Sequence, residues 1–304
     1  MDKQRLLITG GTGFVGTHLA QRLQQYYDVV RGHSPDEEPL DDNTISFDLA
    51  NADEVEQKIQ QIKPTIIIHA GAISSLVEAE EHPFRAIDGN INGTKNIASS
   101  ALKHHVAFVL GISSNKAALP SSLYSHTKAI LERTFARLNN STTAFATVRF
   151  GNLLWAPGSF LIKWREMTEQ DGIVRSTGVN HKRFLQTIEH GGQLVQALLQ
   201  NQAKITGSVI TPALKAASIK DVLDLWVKKK NCSLEEQESR SIDVPKDVLI
   251  GEAEFSDTIS TTIDNMPCFK TNFGQKPEQH VGGQIHSENA ALYTQEELEH
   301  LIEL

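Results

Sequence analysis

The sequence predicts an α/β protein, a doubly wound parallel sheet followed by a smaller C-terminal region. Three observations carry that expectation. Short β-rich apolar runs alternate with helical segments through the first half, the order that builds a parallel sheet with helices on both faces. Several runs are apolar throughout, as in Thr65-Ile66-Ile67-Ile68 and Ala107-Phe108-Val109-Leu110, which suits strands covered on both sides. A glycine-rich turn separates the first strand from the first helix, where such sheets bind nucleotides.

Taken in order, residues 5–9, 28–31, 45–47, 65–70, 107–112 and 144–150 read as strands, and residues 14–25, 52–62, 87–104 and 123–138 as helices. Beyond residue 150 the periodicity loosens. Residues 158–168, 187–200 and 219–227 read as helices and 208–211 as a strand, while 229–286 is polar, weakly periodic and expected to be loop-rich. Residues 294–304 close the chain as an acidic helix, with Thr294 as N-cap and Glu297 three residues on. This divides the chain into a dinucleotide-binding unit, 1–150 with contributions from about 184–212, and a substrate-binding region made of 151–183 and 213–304.

Composition narrows the function. The 304 residues are 39% hydrophobic and 22% charged, ordinary for a globular protein, with a net charge of −8. The longest basic run is Lys228-Lys229-Lys230, so nucleic acid is not an expected partner. The two cysteines, Cys232 and Cys268, lie far apart with no ligand-spaced neighbours, so neither a disulfide nor a metal site is expected. Met1-Asp2-Lys3-Gln4 runs directly into the first strand, and no run approaches ~18 apolar residues. A cytoplasmic protein with no membrane partner is the expectation.

Gly10, Gly13 and Gly16 form G-x-x-G-x-x-G within Thr9-Gly10-Gly11-Thr12-Gly13-Phe14-Val15-Gly16. Gly10 permits the tight turn, Gly13 a close approach to pyrophosphate, and Gly16 close packing of helix on strand. The helix that Phe14 and Val15 open then offers free N–H groups to the anion. No acid stands at the end of the second strand to take the ribose of NAD; Asp36 and Glu37 come later. Arg31 is placed there instead, either to meet the 2′-phosphate of NADP or as a solvated strand-end residue, so the reading leans to NADP over NAD. Asp48, followed by Leu49, either reaches the adenine or caps the next helix.

Tyr124-Ser125-His126-Thr127-Lys128 places a phenol and an ammonium four residues apart, on one helix face. The cation favours the phenolate, which can accept a proton from a substrate hydroxyl. Ser113-Ser114 ends the strand before it and offers a hydroxyl to the same oxygen. His69, His104 and His105 read as satisfied or solvated histidines, and Trp155 and Trp164 as packing residues.

From Thr9 to about Val195 the chain resembles the extended short-chain dehydrogenases of surface-polysaccharide and flagellin-sugar biosynthesis. It is most like the inverting UDP-N-acetylglucosamine 4,6-dehydratases that make the pseudaminic acid precursor. The likeness is carried by Asn90-Ile91-Asn92-Gly93-Thr94, Ile112-Ser113-Ser114-Asn115-Lys116-Ala117-Ala118, the Tyr124/Lys128 pair, Val148-Arg149-Phe150-Gly151-Asn152, Lys182-Arg183-Phe184 and Tyr293-Thr294-Gln295-Glu296-Glu297-Leu298. It implies a nicotinamide cofactor held also by Ala70, Gly71, Ala72, Asn90 and Lys128, a UDP-linked sugar, and, by analogy, a homo-oligomer. It further implies that Tyr124 takes the C4 hydroxyl proton and that the resulting ketone acidifies C5–H. In the family a Thr-Asp-Lys triplet then works, Lys removing the C5 proton and Asp protonating the departing C6 hydroxyl.

Two departures stand out. The triplet reads Ser114-Asn115-Lys116, and an amide has no titratable proton to give. The family's Arg-Pro-Gly-Glu-Lys stretch reads Leu249-Ile250-Gly251-Glu252-Ala253, so a diphosphate would lean on Asn152 and Arg183. Dehydration with C5 inversion, 4-epimerisation, reduction of a 4-keto sugar, and a catalytically silent NAD(P)H-binding relative all stay open.

Overall fold

The computed structural model describes residues 3–238 and 244–303; Met1, Asp2, residues 239–243 of the region read as loop-rich, and Leu304 of the closing helix lie outside them. Strands β1 (Arg5–Thr9), β2 (Asp28–His33), β3 (Thr44–Ser46), β4 (Ile66–His69), β5 (Phe108–Ser114) and β6 (Ala144–Phe150) pair in parallel in the order β6-β5-β4-β1-β2-β3. The chain winds outward from β1 to β3, then crosses to β4 on β1's other side. The sheet therefore has a topological switch point between β1 and β4, where open sheets of this kind hold ligands.

Both faces of the sheet are buried. Leu6, Ile8, Ile66, Ile68, Phe108 and Leu110 pack on one side with the helices Phe14–Leu23 and Ile188–Gln200. Leu7, Ile67, Val109 and Phe145 pack on the other with Ala52–Ile62, Gly93–Lys103 and Leu123–Leu138. β4 and β5 expose almost nothing, which explains why they carry no polar alternation.

Three features depart from the sequence expectation. The helix expected over 87–104 begins as a π-turn, Ile87–Asn92, before becoming regular at Gly93–Lys103. Two short helices, Leu76–Glu81 and Pro83–Ala86, precede it. The region read as loop-rich contributes a hairpin, Thr258–Ile263 and Met266–Thr271, which joins the main sheet antiparallel beside Val209–Pro212. Its turn residues Asp264 and Asn265 have φ of 45° and 65°, the geometry that matches the twist of paired strands. The sheet thus has nine strands, and its last two are not parallel.

A further core is separate from the two that cover the sheet. Leu161 and Trp164 of Phe160–Asp171, Val222 and Trp226 of Ile219–Lys230, and Leu298 and Leu301 of Gln295–Glu303 pack together. Trp155 adds its ring and donates to Leu301 O at 3.1 Å, so both tryptophans read as packing residues lie in this cluster. Among the described residues no helix is long and apolar enough to cross a membrane, and no group of side chains forms a metal site.

Candidate active site

β1 ends at Thr9, and the chain turns through Gly10 with φ 64°. A Cβ at Gly10 would stand 2.7 Å from the Cα of Gly71, so this turn and the Ala70-Gly71-Ala72 run after β4 meet backbone to backbone. A Cβ at Gly16 would stand 2.0 Å from Gly10 O, which seats the helix on the turn. Gly13 differs. It is exposed, and a Cβ there would meet only Gly10 O, at 3.4 Å. Gly13 is also the N-cap of Phe14–Leu23, with no side-chain capping bond. An open glycine at an uncapped helix N-terminus fits the pyrophosphate of a dinucleotide.

Toward β2, Arg31 lies against Gly11 and its guanidinium pairs with Asp41. Thr12 Oγ1 donates to the carboxylate of Glu37. Asp48 accepts from Ala50 N at 2.9 Å, while Asn51 caps the helix Ala52–Ile62. Leu49 packs beside Gly71 and Gly93.

Toward β5, the catalytic pair expected from sequence is buried on one face of Leu123–Leu138. Ser122 caps that helix and Ser125 reciprocates, which fixes the first turn and with it Tyr124. Asn90 bridges Ile73 N and O at 2.8 and 3.0 Å and donates to Thr127 Oγ1 at 3.1 Å, tying the π-turn to the same helix. Burial pushes the Tyr124 phenol up to about 12, and its hydrogen bond with Ser114 pulls the other way. Burial likewise pushes Lys128 down to about 8, against the charge of Glu132, which raises it. Lys128 Nζ lies 5.9 Å from the Tyr124 ring centre and donates to Ile112 O at 2.9 Å.

The two serines part company. Ser114 meets Tyr124, whereas Ser113 donates to Glu132 at 2.6 Å, as strand alternation requires. Asn115 is 1% exposed, its amide nitrogen having no hydrogen-bond partner among the described residues. Lys116 donates to Asn152 Oδ1 at 3.0 Å, and burial lowers its pKa against the charge of Asp247. Asn152 Nδ2 donates to Asp247 at 2.5 Å and to Phe184 O at 2.8 Å, which aims its oxygen at the lysine. Arg183 donates to Val244 O at 2.8 Å and Pro245 O at 3.4 Å, and its charge adds to the lowering of Lys116. His69 is a buried neutral histidine between Thr9 and Thr94, pushed down to about 3 by burial.

Sequence reasoning missed four charged residues beneath this site. Arg149 donates to both oxygens of Glu132 and both of Glu254, at 2.6–2.9 Å, and to Leu249 O at 2.8 Å. Asp247 is the fourth. A lone arginine inside the apolar run Ala-Phe-Ala-Thr-Val-Arg-Phe was the available signal, because a cation there demands buried anions.

A glycine turn on β1, two strand spacings (about 10 Å) from a Ser–Tyr–Lys cluster on β5 and its following helix, is the arrangement of the extended short-chain dehydrogenase/reductases of epimerase/dehydratase type. Within that class the chain belongs to the polysaccharide biosynthesis protein family, whose model matches residues 6–244. The capsular polysaccharide biosynthesis protein CapD of Staphylococcus aureus is 30% identical over 213 residues, 64% of this chain and 36% of CapD. The chain thus spans about a third of that relative's length. Pen from Bacillus thuringiensis superposes with a TM-score of 0.88 at 23% identity, covering 99% of this chain and 97% of Pen. UDP-glucose 4-epimerase of Thermus thermophilus, solved with NAD, superposes with a TM-score of 0.69 at 18% identity, covering 80% of this chain and 89% of that one.

Proposed function

We propose that this chain is a nicotinamide-dependent enzyme that oxidises C4 of a UDP-linked hexose or hexosamine in making a surface polysaccharide. One observation carries the proposal: Tyr124 and Lys128 lie buried on one helix face, with Ser114 bonded to the phenol, across the switch point from the open glycine turn. A bound nicotinamide dinucleotide would supply the hydride acceptor and donor. Gly10, Gly13 and Gly16, with Phe14 and Val15, would hold its pyrophosphate; Leu49, Ala70, Gly71, Ala72 and Asn90 would shape the rest of the cleft, and residues 151–183 and 213–304 would cover the sugar.

Tyr124 takes the proton of the sugar hydroxyl, and Ser114 holds the same oxygen. Lys128 supplies the positive charge that favours the phenolate. Lys116, lowered by burial and aimed by Asn152, is the group able to receive a carbon-bound proton next to a ketone.

Two outcomes follow from C4 oxidation, and Asn115 separates them. Net dehydration needs an acid for the leaving hydroxyl, which a buried amide does not provide. That favours the second reading, a 4-epimerase, in which the hydride returns to C4, or a 4-keto-sugar reductase, which runs only that return step with a reduced dinucleotide as hydride donor; both need only Tyr124, Lys128 and Ser114. Mass spectrometry and proton NMR of UDP-N-acetylglucosamine incubated with the protein read the difference: loss of one water in the mass marks dehydration, and an unchanged mass with altered C4 proton couplings marks epimerisation. Asn115→Asp is expected to increase any dehydration product; an unchanged yield contradicts position 115 as the missing acid. No conversion of any UDP-sugar or 4-keto sugar, alongside dinucleotide binding, identifies a silent relative and overturns the proposal.

A further inference from the structure

We infer that this cleft selects NAD over NADP, and that Glu37 is the residue that makes the selection. The inference rests on the dinucleotide reading of the same cleft. The 2′ position of the adenosine ribose distinguishes the two cofactors: a free hydroxyl donates a hydrogen bond, whereas a phosphate adds close to two negative charges and demands a cation.

The cation that sequence alone offers for that phosphate is Arg31, and the structure commits it elsewhere. Its stem packs on Gly11, its side chain is 11% exposed, and its guanidinium is paired with Asp41. From residue 32 to residue 57 the chain carries no other Lys or Arg. The same stretch supplies Asp36, Glu37, Glu38, Asp41 and Asp42 directly after β2.

Within that loop Glu37 is singled out by its tether. Its carboxylate accepts the hydroxyl proton of Thr12, which stands inside the glycine turn between Gly11 and Gly13. The loop is thereby tied to the glycine turn, with an exposed anion held beside it. A ribose diol reaching that anion finds an acceptor. A 2′-phosphate finds a carboxylate at close range and no free cation among the described residues of this loop.

Titration of the full-length protein with NADH and with NADPH, followed by the change in reduced-nicotinamide fluorescence, tests this without reference to turnover. NADH is expected to bind tighter by about tenfold or more. Glu37→Gln and Glu37→Ala are expected to shrink that ratio severalfold, and Asp41→Asn, by releasing Arg31, to strengthen NADPH binding. Thermal melting checks that these loop variants stay folded. Tighter binding of NADPH by the natural chain, or a ratio that both Glu37 variants leave unmoved, overturns the inference and leaves the dinucleotide reading standing. Failure of both dinucleotides to bind overturns the inference and the dinucleotide reading alike.

Discussion

At the scale of single residues, burial acts in opposed directions on two neighbours of the candidate site. Tyr124, pushed up to about 12, resists ionising alone, and Lys128, pushed down to about 8, gives up its proton early for a lysine. The phenol is helped only while Lys128 is charged, and its charge is lost as pH rises through about 8. Turnover is therefore expected to hold up to about pH 8 and to fall above it. A pH–rate profile checks this; a rate still climbing at pH 10 contradicts the assignment. Ser113 and Ser114 show what a linear pattern conceals. The motif marks both, but the pleat of β5 sends one hydroxyl to Tyr124 and the other to Glu132. Asp247 was illegible for another reason. It reaches Asn152 across 95 positions of sequence, and nothing local to it announces that pairing.

At the scale of elements, the ion cluster of Glu132, Arg149 and Glu254 joins three segments that the sequence keeps far apart. Glu132 belongs to the helix that carries Tyr124 and Lys128, and Arg149 to β6. Glu254 follows Val248–Ile250 in the region read as loop-rich. All three are almost fully buried, so removing one partner strands charge in a poorly polar interior. Arg149→Met is expected to destabilise the protein by roughly 3–5 kcal/mol, read by urea denaturation, because two carboxylates lose their cation. A loss below about 1 kcal/mol would mean that the cluster is solvated in practice. The hairpin Thr258–Ile263 and Met266–Thr271 escaped sequence reading because its edge strand, Thr-Ile-Ser-Thr-Thr-Ile, is polar at four of six positions, and so lacks the apolar run that marked β4 and β5. Its Asp264-Asn265 turn was the overlooked cue.

At the scale of the whole molecule, the parallel half was legible because burial on both faces forces an apolar signature on each strand. The glycine turn and the Tyr-x-x-x-Lys pair were legible because a few residues do each job at fixed spacing. The second part was not, since its small sheets pair strands far apart in sequence, Ser233–Gln237 with Ile173–Thr177 and Val248–Ile250 with Ile285–His286, and the helices of its core come from 160–171, 219–230 and 295–303. The candidate site sits where the two parts meet: Lys116 after β5 is held by Asn152, itself bonded to Asp247, from the second part, while Tyr124 and Lys128 belong to the first.

The proposed function makes C4 of the sugar the reacting centre, and isotopic substitution there is the most direct measurement. The protein is given UDP-N-acetylglucosamine, or the UDP-hexose it converts, with hydrogen or deuterium at C4. Slower conversion of the deuterated sugar, with conversion lost in a folded Tyr124→Phe variant, is the predicted result. Conversion at full rate by Tyr124→Phe, with no response to deuterium at C4, would contradict it.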